Sequence, residues 1–413
     1  MTGWKDTRPS AQDPETRFES PPDPLILRQL HDAHCHPGDD QQFEPGTFQS
    51  LDTGKFCVMS SSLSNQERTK HVYKARPNDT IPCFGLHPWF SHSISFSPPS
   101  SLPSKEAHYA SLFPSSSSSA STNSSRDSPP LSISYLVPHL PPVTSIETFL
   151  VQLEKDLSSY PNSFVGEIGL DKAFKLPHPT SLLEIHPPTT TTSPPLPKNS
   201  QFQTPIQHQL KLVELQIDLA IKLQKNVSFH SVKSSSETLE FLNECKRIKP
   251  RFSREIYVCL HSFGGSSETC KQIQKSHSNV FFSFSTIISG RSPNFYKLLQ
   301  SIEPERLLLE SDFSRTDQID LQIWEIFEAI CKSRNWTRQE TLSILKRNWE
   351  RFTQPVEERI NSLSMTTNEK NKQKSSKQKK REKHYKDLYL SSSDDDDDNQ
   401  HEKRGLNNRK ERV

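Results

Sequence analysis

The stretch that decides the fold is NVSFHSVKSSSETLEFLNECKRIKPRFSREIYVCLHSFGGSSETCKQIQKSHSNVFFSFS, residues 226–285. Three short apolar runs, at 226–229, 256–260 and 280–285, alternate with two segments of helical periodicity, at 236–247 and 267–275. Continuous apolar strands are typical of parallel sheets that are covered on both faces. The stretch therefore predicts an α/β protein in which each strand is followed by a helix.

The alternation continues in both directions. The clearest helix precedes the stretch, because Ile206, Leu210, Val213, Ile217 and Ala220 recur at helical spacing. Eight predicted strands with their helices favour a (β/α)8 TIM barrel, although an open sheet also fits the pattern. The other predicted strands are the one ending at 31–36, Lys55–Ser61, Ile81–Phe90, Ser163–Gly169 and Arg306–Glu310; the other predicted helices are Ser64–Arg76, Ser145–Leu157, Pro293–Ser301, Leu321–Ser333 and Thr337–Phe352.

The composition divides the chain into packed and unpacked segments. Only 31% of the residues are hydrophobic, and 32 prolines stand against 11 glycines. Segments rich in Ser, Pro and Thr cannot bury enough apolar surface to offset their ordering entropy. We expect a disordered arm at 1–26, a barrel domain at 27–360 with disordered and dispensable inserts at about 96–142 and 172–203, and a disordered charged tail at 361–413.

Cysteine usage and the amino-terminal sequence point to the inside of the cell. The net charge is +2, and the seven cysteines show neither CxxC nor the spacing of a disulfide framework, so we expect reduced thiols. The amino terminus lacks an apolar signal segment, and no apolar run approaches the ~18 residues of a membrane span. We expect no membrane association and a location in the nucleus and/or the cytoplasm, with the basic block 368–386 as a nuclear-localisation signal.

Ligand-type side chains end five of the predicted strands. In a TIM barrel the carboxyl ends of the strands meet at one face, so these side chains should converge. Any one of them alone is more often a structural residue, but five buried polar strand ends together favour a metal centre. Imidazoles with carboxylates suit Zn²⁺, Mn²⁺ or Mg²⁺. The residues are His34 and His36, whose alternate positions on a strand face the same side, then Glu167, His230, His261 and Asp312.

Six segments, in this order, resemble the motifs of the TatD family of metal-dependent deoxyribonucleases. They are DAHCH (32–36), GLHPWF (85–90), VGEIGLD (165–171), FHS (229–231), LHSFGGS (260–266) and RLLLESD (306–312). The resemblance runs from Leu27 to Phe352 and implies a TIM barrel of the amidohydrolase-like group with two divalent ions. The chain departs from the family pattern at Phe313-Ser314-Arg315, where Ala-Pro is usual, and in LHSFGGS.

The resemblance also implies a role for each residue. By it, His34, His36 and Asp312 hold the first ion, Glu167 bridges both ions, and His230 and His261 hold the second. Glu167 and Asp312 are the implied catalytic residues, Asp312 as acceptor of a proton from the attacking water. Asp32 is expected to hydrogen-bond a ligating imidazole. His87 is expected to contact substrate, or else to be a structural turn residue before Pro88.

The implied activity is hydrolysis of phosphodiester bonds in DNA. Two alternatives stay open: a hydrolase for an amide, lactone or phosphomonoester on a similar barrel, and a non-catalytic or dual-role protein. The latter would bind cell-cycle or nuclear partners through the inserts and the tail, because the large Ser/Pro-rich inserts resemble those of a fungal branch of the family.

Overall fold

A computed structural model describes residues 22–114, 132–180, 197–356, 358–359 and 376–383. Most of the predicted arm, residues 1–21, lies outside these ranges. The chain divides into two units, Met1–Val356 and Glu357–Val413. The first unit contains the barrel.

Eight parallel strands form one sheet in sequential order. Each strand is short and its burial pattern is almost continuous, as expected of a sheet with both faces covered. The strands are β1 (His31–Cys35), β2 (Lys55–Met59), β3 (Thr80–Phe84), β4 (Phe164–Asp171), β5 (Val227–Val232), β6 (Val258–Leu260), β7 (Val280–Phe284) and β8 (Leu307–Leu309).

Helices follow the strands, as the sequence predicted. Two of them end in a left-handed residue, Gln224 after α4 and Asn335 after α8. The helices are α1 (Gln66–Ala75), α2 (Lys105–Leu112), α3 (Ile146–Ser159), α4 (Ile206–Leu223), α5 (Ser235–Ile248), α6 (Ser267–Ser276), α7 (Phe295–Ser301), α8 (Ile319–Arg334) and α9 (Arg338–Thr353), with shorter turns at Pro24–Leu27, Pro45–Gln49 and Phe252–Glu255.

The sheet is a nearly closed barrel rather than an open sheet. Beyond the last ladder pair of β8, the backbone N–H of Asp312 donates to the carbonyl of His34 at 2.9 Å, and the N–H of His36 donates to Phe313 at 2.8 Å. These bonds join the ends of β1 and β8 at the face where the strands end. The seam of the barrel therefore carries three of the predicted ligand residues.

The barrel interior is packed with side chains of mixed size, from Ala33 to Phe281. Alternate residues of the strands point inward, so Cys57 and Met59 lie inside while Phe56 and Val58 pack against the helices. All seven cysteines are buried and unpaired, as the reduced-thiol prediction requires. The inner cluster consists of Ala33, Cys57, Met59, Cys83, Phe164, Cys259, Phe281, Leu308, Trp349 and Phe352.

The prediction that both inserts are disordered is wrong for their described parts. Residues 96–114, 132–142, 172–180 and 197–203, called the cap below, pack into an apolar cluster of their own. Helix α2 begins at an N-capping serine, Ser104, whose hydroxyl accepts from Ala107 N at 3.2 Å. Segments 115–131 and 181–196 lie outside the described residues. The buried members of the cap cluster are Tyr109, Phe113, Ile133, Leu136, Val137 and Leu176.

The structure describes one segment of the predicted tail, and the disorder of the tail stays a prediction. In the second unit, residues 376–383 form a helix in which every side chain is exposed. The rest of the basic block and the acidic run lie outside the described residues. Among the helices that the structure describes, none is both long and apolar enough to cross a membrane.

Candidate active site

All six predicted ligand residues converge where the barrel strands end. Their side chains come from β1, β4 and β5 and from the segments that follow β6 and β8. Five of the six residues are buried: His34, His36, Glu167, His230 and His261. The side chain of Asp312 stays 13% exposed and is the most open carboxylate of the set. Separate strand ends thus meet as the barrel geometry predicted.

Glu167 lies at the centre, and its two oxygens face different partners. Oε2 lies 3.3 Å from His36 Nε2 and 3.6 Å from His34 Nε2. Oε1 lies 2.8 Å from His261 Nε2, 2.9 Å from His230 Nδ1 and 3.1 Å from His87 Nε2. One carboxylate therefore joins two groups of imidazoles through different atoms.

The first group, called the seam group, consists of His34, His36 and Asp312. The two imidazole Nε2 atoms are 3.0 Å apart, and Asp312 Oδ1 lies 3.6 Å from His36 Nε2. Asp312 has φ +47°, a left-handed conformation that aspartate tolerates better than most residues. Ser228 orients His34 from behind, because its hydroxyl lies 2.8 Å from Nδ1.

The second group, called the lateral group, consists of His87, His230 and His261. His230 Nδ1 and His261 Nε2 are 3.1 Å apart. Strand β4 passes so close to β5 that a Cβ on Gly169, at φ +146°, would lie 2.1 Å from the carbonyl oxygen of His230. A glycine is therefore required where the two strands bring Glu167 and His230 together.

The donor set fits cations on both sides of Glu167. In each group two imidazole nitrogens face each other at about hydrogen-bond distance. Two unprotonated nitrogens at such a distance repel each other unless a proton or a cation lies between them. Nitrogen and carboxylate donors of this kind suit Zn²⁺ and similar divalent ions. Groups with mutually close donor atoms include His34–His36–Asp312, His87–Glu167–His230 and His34–His261–Glu310, the last of which shares His34 with the first.

His87 differs from the other imidazoles of its group. Its Nδ1 accepts a hydrogen bond from Trp89 N at 3.1 Å, and burial lowers its pKa to about 4. A neutral imidazole that accepts at Nδ1 carries its proton on Nε2. The Nε2–H of His87 therefore points at Glu167 as a donor, which favours a contact with an anionic group over a bond to a cation.

The expectation for Asp32 is wrong in detail. Its carboxylate accepts from the backbone N–H of His34 at 3.1 Å, from Ser311 N at 3.0 Å and from the Ser311 hydroxyl at 2.5 Å. It therefore holds the backbones of β1 and of the segment after β8 together rather than an imidazole. This role depends on how the first and last strands are aligned, and the sequence motif alone does not show that alignment.

Three further carboxylates at the site were missed. Asp171 Oδ2 lies 3.2 Å from His230 Nε2 and accepts from Trp89 Nε1 at 2.6 Å. Glu310 accepts from Ser262 N at 2.9 Å, and its Oε1 lies 3.8 Å from His261 Nδ1. Asp39 Oδ2 lies 3.5 Å from His36 Nδ1. The signal for Asp171 and Glu310 was alternation: Asp171 is four residues after Glu167 on the same strand, and Glu310 is two before Asp312.

Burial and neighbouring charges lower the pKa values of some groups at the site and raise those of others. Burial alone would raise the pKa of Glu167, but the charges of His87, His261 and His34 hold it well below its usual value. Burial and the charge of His261 lower the pKa of His34 to about 3. Burial also acts to lower the pKa of His261, but the charge of Glu167 outweighs it and keeps that pKa well above 6.5.

Asp171 stays ionised beside His230. Burial acts to raise its pKa, but the hydrogen bond and charge of His230 and the bond from Trp89 lower it to about 2. The pKa of its partner His230 is shifted as well. Burial acts to lower the pKa of His230, yet its bonds to Asp171 and Glu167 raise it above the ordinary value.

The model of the family described as TatD related DNase matches residues 31–354. Cut9-interacting protein scn1 of Schizosaccharomyces pombe is 29% identical over 354 residues, which cover 79% of this chain and 99% of that protein. The uncharacterized deoxyribonuclease YMR262W of Saccharomyces cerevisiae is 27% identical over 297 residues, which cover 70% of this chain and 84% of that protein.

Solved structures share the fold. The TatD homolog YjjV from Escherichia coli superposes with a TM-score of 0.51 at 17% identity, covering 79% of this chain and 98% of that one. An uncharacterized amidohydrolase from Saccharomyces cerevisiae gives a TM-score of 0.50 at 12% identity, covering 78% and 99%. The family match spans the barrel from β1 to α9, so the chain belongs to the TatD-related DNase family of metal-dependent hydrolases that act on ester bonds.

Proposed function

We propose that this chain cleaves phosphodiester bonds of DNA with two divalent cations, one on each side of Glu167. The observation that carries the proposal is the division of the Glu167 carboxylate, with Oε2 toward the seam group and Oε1 toward the lateral group. His34, His36 and Asp312 would hold one cation, and His230 and His261 would hold the other. Glu167 would contribute to both sites.

Mg²⁺, Mn²⁺ or Zn²⁺ bound here would activate a water and neutralise charge on the scissile phosphate. The protein supplies the other functions. The side chain of Asp312 is 13% exposed and that of Glu167 only 3%, so Asp312 is the better placed of the two to accept a proton from the attacking water. His87 presents an Nε2–H that can donate to a phosphate oxygen. Asp171 fixes the ring of His230 through its remote nitrogen.

The test is a cleavage assay with the purified chain on single- and double-stranded DNA, with Mg²⁺, Mn²⁺ or Zn²⁺ and with a chelator. We expect cleavage that needs a divalent ion and is lost when His34 is replaced by Ala. Glu154→Gln serves as a control, because Glu154 pairs with Lys222 on the outer helices. Cleavage that survives both the chelator and His34→Ala would overturn the proposal.

We also propose that the chain binds a protein partner. The relative scn1 is named for an interaction with Cut9, and almost its whole length matches this chain. The cap and the tail are the candidate surfaces, because neither carries a ligand-type residue of the site. Pull-down with a Cut9-like protein should succeed equally with the native chain and with Glu167→Gln; loss with that variant would tie binding to the catalytic centre.

The proposed location is the nucleus and/or the cytoplasm, with residues 368–386 as the nuclear-localisation signal. A chain truncated before Thr366 should lose nuclear enrichment and keep its turnover of short oligonucleotides. An unchanged distribution would contradict this role.

A further inference from the structure

Trp89 lies at the edge of the candidate active site and is held there from within. It follows His87-Pro88 after β3, and its ring centroid is 4.8 Å from that of His87 and 6.4 Å from that of His230. The indole Nε1–H donates to Asp171 Oδ2 at 2.6 Å, which fixes the orientation of the ring. Despite these contacts, 40% of Trp89 remains exposed.

The cap holds the same ring from the other side. Phe174 stacks on Trp89 with centroids 5.0 Å apart and planes 15° from parallel. Phe174 itself packs against the cap cluster, which both inserts build. A large exposed aromatic side chain is thus immobilised beside the metal-binding face by contacts from the barrel and from the cap.

We propose that Trp89, backed by Phe174, is a stacking platform for an unpaired nucleobase next to the scissile phosphate. The proposal rests on the proposed function above. Rigid aromatic rings bind bases of single strands through their faces and tolerate any sequence. Bases inside a duplex are covered by their neighbours, and exposing one costs unstacking energy. Trp89 can reach a base beside the reacting phosphate, because only the His87 ring lies between Trp89 and Glu167. The centroid of that ring is 4.8 Å from the centroid of Trp89, and its Nε2 is 3.1 Å from Glu167 Oε1.

The test compares two single-stranded oligonucleotides, one with all its bases and one with abasic sugars flanking the cleaved bond. Loss of a base-stacking contact corresponds to about a 5- to 150-fold effect. We expect Trp89→Leu to lower kcat/KM by such a factor on the base-bearing strand and much less on the abasic strand. Trp89→Phe, which keeps a ring but loses the bond to Asp171, should retain most of the preference for the base-bearing strand.

Two further variants separate stacking from general damage. Phe174→Leu leaves the Trp89–Asp171 bond in place and should give a smaller loss in the same direction. Tyr296→Leu is the matched control, because Tyr296 is exposed to a similar extent, 43%, on α7. An equal fall on both oligonucleotides with Trp89→Leu would mean that Trp89 acts only through Asp171 and His230, and would overturn the platform.

Direct binding keeps this inference separate from the proposed function. Anisotropy of a labelled strand, measured with each variant, should show tighter binding of the base-bearing strand in the native chain and loss of that preference in Trp89→Leu. If no DNA is cleaved but this preference holds, the platform stands and the proposed function falls. If DNA is cleaved but the native chain shows no preference in binding or in kcat/KM, the platform falls alone.

Discussion

The two groups around Glu167 are built in different ways. The seam group takes one imidazole from β1 and the other from the residue that follows it, and Asp312 joins them where the barrel closes. The lateral group takes His230 and His261 from neighbouring strands and His87 from the loop after β3. Behind the seam group, His34 is oriented by the neutral hydroxyl of Ser228; behind the lateral group, His230 is oriented by the ionised Asp171.

The difference shows where each group depends on the rest of the molecule. The seam group needs the β1–β8 closure that Asp32 secures through His34 and Ser311. The lateral group needs the cap, since Asp171 is also bound by Trp89, which stacks on Phe174. Glu167 contacts both groups through its two oxygens, so its loss should affect both most strongly. The groups also meet directly, because His34 stacks on His261 with centroids 3.7 Å apart and Asp312 Oδ2 lies 3.9 Å from His261 Nδ1.

The largest effect is expected from Glu167→Gln. The substitution keeps the size of the side chain but removes the charge that faces both groups. Activity should fall by several powers of ten, a change of about 1.4 kcal/mol in the barrier for each factor of ten. Initial rates at saturating metal measure it. Near-normal turnover by the variant would refute a shared role for Glu167.

The orienting partners should rank next, and unequally. Asp171→Asn removes a charged partner of His230 and should weaken metal affinity or activity by about 10- to 100-fold. Ser228→Ala removes a neutral hydrogen bond of ~1 kcal/mol to His34, which corresponds to about a 5-fold effect. Metal titration of the two variants compares them directly. Equal losses would mean that the charge of Asp171 contributes nothing beyond orientation.

The pH dependence of metal binding should also distinguish the groups. Against the effect of burial, Asp171 and Glu167 raise the pKa of His230, and Glu167 raises the pKa of His261. In the metal-free chain their protonated forms therefore stabilise the fold below pH ~6.5, and this stabilisation is lost as the pH rises through the raised values. A cation must displace those protons. The rise in thermal midpoint on adding Zn²⁺ or Mn²⁺ should therefore grow from pH 6.5 to 8.5.

The seam group supplies the control for this experiment. The pKa of His34 is lowered to about 3, so its imidazole is already neutral throughout that pH range. In His230→Ala, where mainly the seam group remains, the metal-induced rise should change less with pH. An equally steep dependence in this variant would locate the displaced protons elsewhere.

The smallest effect is expected from the cap, as a change of stability. Replacing residues 97–142 with a short linker removes most of the cap cluster and uncovers Leu176 and Phe174. The thermal midpoint should fall by about 2–3 °C, the shift that ~1–2 kcal/mol produces in a domain of this size. Calorimetry of the two chains measures it. An unchanged midpoint would mean that the cap packs without stabilising the barrel.

The barrel could be predicted from sequence because its signals are local. Each strand is a short apolar run, and the ligand-type residues stand within the strands, as Glu167 and His230 do, or just after them, as His261 does. The fold and the convergence therefore followed from the rules for parallel barrels. The family resemblance added the assignment of roles, which remains a proposal for each residue.

The cap could not be predicted in the same way. Its apolar residues, such as Tyr109, Leu136 and Leu176, are far apart in the chain and lie in a Ser/Pro-rich background that resembles disorder. Some of these serines cap helices, as Ser104 does for α2. Asp32 and Asp171 were misjudged or missed for a related reason, since their partners Ser311 and Trp89 are set by tertiary contacts.

The most direct test of the account is the number of divalent cations bound per chain after reconstitution with Zn²⁺ or Mn²⁺. The arrangement predicts two in the native chain, one in His230→Ala, in which the seam group is intact, and weakened binding of both in Glu167→Gln. Elemental analysis together with calorimetric titration measures all three. A native chain that binds no cation, or a Glu167→Gln chain that keeps both at native affinity, would contradict the account.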